Sequence, residues 1–201
     1  MLQEDAIARR GQALENQYFQ HVDHHLLQEL KQSEEHKKRI QELTETTGVQ
    51  DSNIAEHLLE AGIDASNIAA LTLTPLVFVA WASGSVSPEE RQGVISAALR
   101  RGVDSNPLAF RLLEQWLQTR PPRELWGLWK DYATAVQKIL EPATASKLSR
   151  RLIQQARVVA EASGGVLGIG KVCANEQRVL DEIAEVLGHG VATSVDEDNV
   201  V

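Results

Sequence analysis

The sequence predicts an all-α fold, and three observations carry that reading. Apolar residues recur at helical spacing along most of the chain, and no stretch gives a convincing strand signal. Prolines and glycines fall at helix-length intervals, prolines where a helix can open and glycines where one can close. One corner is also spelled twice: V79-A-W-A-S-G84 followed by S85-V-S-P-E-E90, then V159-A-E-A-S-G164 followed, after an interruption, by K171-V-C-A-N-E176. The expectation is a helical bundle with two pseudo-repeated helix-turn-helix units and a long N-terminal helical arm.

Residues 1–46 form the predicted arm. Leu14, Tyr18, Val22, Leu26 and Leu30 make an i, i+4 stripe, with Phe19 and Leu27 beside it. Beyond Leu30 the stripe thins into K31-Q-S-E-E-H-K-K-R39, where Glu34–Lys38 and Glu35–Arg39 are spaced to pair. A straight helix of this length spans roughly 65 Å, more than a small domain can cover. Residues 47–66 hold the expected linker and a short helix over 54–61, with Asn53 as cap, Glu56 three residues on, and Gly62 closing it.

The core domain is expected over 67–188. An apolar helix over 67–82 comes first, bent by Pro75. Ser87, Pro88 and Glu90 start the next, which stops at Gly102. Asn106-Pro107 starts another, ended before Pro121-Pro122. A helix over 122–140 carries Leu125, Trp126, Leu128, Trp129 and Tyr132, and Pro142 opens the one that ends at Gly164. The last runs over 174–187 with Gly188 as its cap, and 189–201 is read as a disordered acidic tail.

Composition narrows the function classes. A hydrophobic share of 43% supports a packed core, and a net charge of −8 argues against nucleic acid as a partner. The Arg100-Arg101 and Arg150-Arg151 pairs lie near acidic neighbours or on a helix face. The single Cys173 excludes an intramolecular disulfide and any multi-cysteine zinc site. Ile68 to Ala82 is apolar but interrupted by Thr72, Thr74 and Pro75, and is shorter than the ~20 residues of a spanning helix. No transmembrane segment is expected, and the start of the chain lacks the pattern of a signal peptide, so a cytoplasmic location is expected.

In each doubled corner an apolar helix ends on Ala-Ser-Gly, where glycine can take the left-handed closing conformation. Val86 and Val172 then return toward the core. Ser87, Pro88 and Glu90 spell a capping box, and the second corner keeps the glutamate as Glu176 but places Cys173 at the cap. This apolar helix, Ala-x-Gly, Val and Ser-Pro-x-Glu-like start, doubled in the second half, resembles the TerB-like family. That family is named for tellurite-resistance proteins and is also found at the front of a membrane-anchored DnaJ co-chaperone. The resemblance spans about 67–188. It implies a compact all-α domain with an acidic site for a divalent metal, built from an Asp before the turn glycine and a Glu at the following helix start. Carried over, the glutamates are Glu90 and Glu176, whereas Ser83 and Ser163 stand where the family has Asp. The bland reading of both glutamates is as helix caps.

Other motifs are weaker. G165-V-L-G-I-G-K171 matches a phosphate-binding loop for seven positions, but Val172 replaces the Ser or Thr that would hold magnesium, and no strand precedes it. His21 and His25 sit one turn apart without an evident third ligand. Trp81, Trp116, Trp126 and Trp129 are read as core anchors, with one of the last two free to line a groove. Cys173 has no obvious histidine partner and Ser87 is better spent as a cap, so no enzyme is expected. The arm, through Arg10, Glu15, Tyr18, Phe19 and Asp23, is similar over about twenty residues to alphaproteobacterial ATP-synthase inhibitor subunits.

The expected function is a non-enzymatic protein-interaction or regulatory module with an envelope-stress or assembly role and no cofactor. Its arm would self-associate or dock a protein through Leu14, Tyr18, Val22, Leu26 and Leu30. The alternatives are a metal-binding sensor or tellurite-resistance-type protein using Glu90 and Glu176, and an ATP-synthase inhibitor acting through the arm.

Overall fold

The structure is a computed structural model that describes the backbone of residues 2–162 and 172–188, and the side chains of 24–162 and 172–188. The phosphate-loop-like segment, Ser163, Gly164 and the 189–201 tail lie outside the described residues. The chain divides into two units, Met1–Gln41 and Glu42–Val201.

The first unit is the greater part of helix α1, Leu2–Thr47. Its described side chains support one another locally along the helix. The His24 ring and the Gln28 amide lie 3.2 Å apart, and His25 pairs with Glu29 at 3.3 Å. Lys37 pairs with Glu34 at 3.0 Å, one position earlier than the spacing of four that the sequence invites. Such exposed pairs contribute a few tenths of a kcal/mol each, roughly 0.2–0.5.

The second unit is built from α2 (Ser52–Glu60), α3 (Thr74–Ala80), α4 (Pro88–Arg100), α5 (Pro107–Gln118), α6 (Glu124–Ile139), α7 (Pro142–Ala162) and α8 (Ala174–Val186), with 3-10 helices at Ile68–Leu73 and Val103–Ser105. No strand occurs among the described residues. The all-α expectation stands.

Three local expectations are corrected. The arm helix runs through Thr44 to Thr47 and ends at Gly48, whose φ of 73° is left-handed backbone that favours glycine. Leu43 is only 1% exposed, so the last turn of α1 belongs to the core of the second unit. The cap of α2 is Asp51, not Asn53: Asp51 Oδ1 accepts the Asn53 amide at 3.0 Å. Pro75 does not bend a helix. The segment before it is 3-10, and Pro75 lies in the first turn of α3, where a missing amide hydrogen costs nothing.

Short α3 is the centre of the unit. Leu76, Val77, Val79 and Ala80 are all inaccessible to solvent, and α4, α6, α7 and α8 pack around them. A helix apolar on every side must be enclosed in this way. Trp126 ties α6 to α8 by donating Nε1–H to Glu182 Oε2 at 2.8 Å, and its ring stacks on Phe78 of α3 at 4.9 Å. Trp81 donates to the Trp116 carbonyl at 2.8 Å. Trp116 and Trp129 are buried anchors.

Candidate functional site

The helix starts of the two corners, at Ser87 and Cys173, share one capping geometry. Ser87 holds φ −72°, ψ 160°, and Cys173 holds φ −73°, ψ 163°. Ser87 Oγ accepts the Glu90 amide at 3.1 Å, while Glu90 Oε2 accepts the Ser87 amide at 2.7 Å. Cys173 Sγ accepts the Glu176 amide at 3.4 Å, and Glu176 Oε2 accepts the Cys173 amide at 2.7 Å. Both boxes are complete, so the cysteine does cap its helix, with sulfur in place of oxygen. In the first corner Gly84, at φ 106°, makes the turn and its amide bonds the Trp81 carbonyl at 3.0 Å.

Capping glutamates normally lie at the surface, yet Glu90 is 0% and Glu176 1% exposed. Each places its carboxylate against the start of its own helix, where amide hydrogens and the helix dipole favour negative charge. As cation ligands they are sparse. A hard divalent cation takes six or more oxygens, several of them charged. Each corner offers one glutamate already holding an amide, and Ser83, at the family's Asp position, is exposed and donates to the Ser85 carbonyl at 3.1 Å. Among the described residues no three His, Cys, Asp or Glu side chains converge. The described residues therefore do not assemble a cation shell.

Of the predicted arm stripe, Leu26 and Leu30 are 50% and 61% exposed, and Leu27 beside them 57%. The side chains of Leu14, Tyr18 and Val22, and that of His21, lie outside those described. No helix of the described residues is long and apolar enough to cross a membrane.

Sequence reasoning missed a pocket. A cavity of about 230 Å³ opens between α6 and α7, walled by Trp129, Val136, Leu140, Leu148, Leu152 and Leu187. Arg101, Arg151 and Tyr132 also line it. Arg101 bonds to neutral partners: Nε donates to Gln155 Oε1 at 3.0 Å, Nη2 donates to the same oxygen, and Nη1 donates to the Thr72 carbonyl at 3.3 Å. No carboxylate among the described residues pairs with Arg101 or Arg151; Arg151 is exposed on α7, as the helix-face reading allows. Burial, and then the repulsion of Arg151, hold Arg101 down to about 10. Burial likewise raises the Tyr132 phenol, which keeps it a donor. The only signal in the sequence was the two Arg-Arg pairs.

No family model matches the chain, and no curated protein or solved structure matches it.

Proposed function

We propose that the chain is a non-enzymatic interaction module, a TerB-like helical domain carrying an arm through which it self-associates. The observation that carries this reading is the apolar edge of the arm. Leu26, Leu27 and Leu30 stand half or more exposed on a 46-residue helix, next in register to Leu14, Tyr18 and Val22. Exposed leucines at helical spacing are stabilised when a second helix covers them, at about 25 cal/mol per Å² of apolar surface removed from water. The paired glutamate caps fit the same reading, because their carboxylates accept amides at the helix starts.

The test is the mass in solution of the full chain, of a Leu26→Ser/Leu30→Ser variant, and of a chain beginning at Glu42. That start keeps Leu43, which the core requires. The full chain should be the larger species, with both altered forms reduced to monomers. A full chain that is monomeric at tens of micromolar would rule out self-association. The arm would then have to dock a different protein, as in the ATP-synthase-inhibitor reading, which an ATPase assay with the full chain addresses.

A further inference from the structure

Independently of the arm, we propose that the pocket between α6 and α7 binds a medium-chain carboxylic acid, its alkyl chain against the apolar wall and its carboxylate on Arg101 and Arg151. Three features of the pocket support this. The first is a cation with no carboxylate partner among the described residues. Taking a guanidinium out of water is costly unless an anion meets it, and buried charges are normally paired. Arg101 instead meets the neutral oxygens of Gln155 and Thr72.

The second is donor geometry. A guanidinium has five N–H groups. The bonds to Gln155 and Thr72 use the Nε hydrogen and one on each Nη. One hydrogen on each Nη is left, so the guanidinium keeps two donors for an anionic head. The Tyr132 hydroxyl, with no protein partner among the described residues, adds a donor on the same lining.

The third is the match of wall and volume. Trp129, Val136, Leu140, Leu148, Leu152 and Leu187 offer no charge, so the body of the ligand is apolar. The cavity of about 230 Å³ lies below the roughly 300–1,000 Å³ typical of drug-sized ligands, which favours a short flexible chain over a ring system or a peptide. The linings of this pocket and of its neighbour carry arginines and no carboxylate, although the chain is acidic. The neighbouring depression between α4 and α7 shares Arg151 and adds Arg100. By contrast, a depression along α2 and α6 is rimmed by Glu60, Glu124 and Asp131.

The test is calorimetric titration of the full chain with decanoate below its micelle concentration, alongside decanol and acetate. One saturable site for decanoate is expected, with decanol and acetate at least tenfold weaker because each lacks one half of the match. Arg151→Gln, at an exposed position, should weaken decanoate at least fivefold with unfolding temperature retained. Arg101→Lys, which keeps the charge and removes the fork, should weaken it at least tenfold. Absence of a saturable decanoate site overturns the proposal. So does decanol binding as tightly as decanoate, or Arg151→Gln binding decanoate as the parent does.

Discussion

Cys173 caps α8 with its sulfur: the Glu176 amide donates to Sγ at 3.4 Å, where at the other corner the Glu90 amide donates to Ser87 Oγ at 3.1 Å. Sulfur is a weak acceptor, and a good oxygen cap contributes about 1 kcal/mol relative to a residue that cannot cap. Backbone angles at the two positions agree within a few degrees, so a serine at 173 fits without rearrangement.

Cys173→Ser should therefore stabilise the protein by about 0.5–1 kcal/mol. Ser87→Ala should cost about 1 kcal/mol, more than Cys173→Ala does. Urea unfolding of the three variants measures this. Because Cys173 is exposed, no core packing changes with the sulfur, and equal midpoints for parent and Cys173→Ser would refute the capping account.

The buried glutamates should be costlier to lose. Removing Glu90 or Glu176 leaves the Ser87 or Cys173 amide without its acceptor and opens a void beside it. Hydrogen bonds to charged groups contribute about 1.5–3 kcal/mol, and Glu90→Ala or Glu176→Ala should each lose roughly that much. The Gln variants keep an acceptor oxygen and should lose about half as much, or less. If the carboxylates serve the fold alone, millimolar calcium or zinc will not shift the unfolding temperature of the parent. A metal-dependent rise that Glu90→Gln abolishes would restore the cation reading.

How far the sequence reached depended on range. Helix starts written in adjacent residues were legible: Ser87-Pro88 and Asn106-Pro107 both cap as expected, with Asn106 Oδ1 accepting the Leu108 and Ala109 amides. The α2 start failed because D51-S-N53 offers several capping side chains in a row, and only the path of the chain chooses among them. Pro75 was misplaced because a proline that opens one helix and a proline that bends another look alike without the 3-10 turn before it. The burial of Glu90 and Glu176 was illegible for a different reason. It depends on how α4 and α8 pack, whereas the spelling of a capping box is the same at a surface. The pocket lay furthest out of reach. Arg101 meets Gln155 across 54 positions of sequence, and no local pattern records that neither arginine has an acidic partner among the described residues.

Gly93 tests how closely α4 and α7 must approach. A Cβ at this position would lie 3.3 Å from Val159 Cγ2 and 3.7 Å from its Cα, tighter than an ordinary carbon contact for the first. Alanine brings two opposed effects. It gains up to about 1 kcal/mol of helix propensity over glycine, and it forces Val159 to move by a few tenths of an ångström. Gly93→Ala should therefore fall within about 0.5 kcal/mol of the parent. Leucine cannot be accommodated by such a shift, because Val159 is itself buried between the helices, and Gly93→Leu should lose about 2–3 kcal/mol. The consequence extends to the pocket. Arg101 follows the C-terminus of α4 and Arg151 rides on α7, so prising the two helices apart separates the two cations. Where Gly93→Leu still folds, as judged by a cooperative urea transition, its decanoate affinity should fall with its stability. Gly93→Ala should leave affinity unchanged. A stable Gly93→Leu with parental stability would mean that α4 and α7 tolerate a wider spacing than the Val159 contact implies.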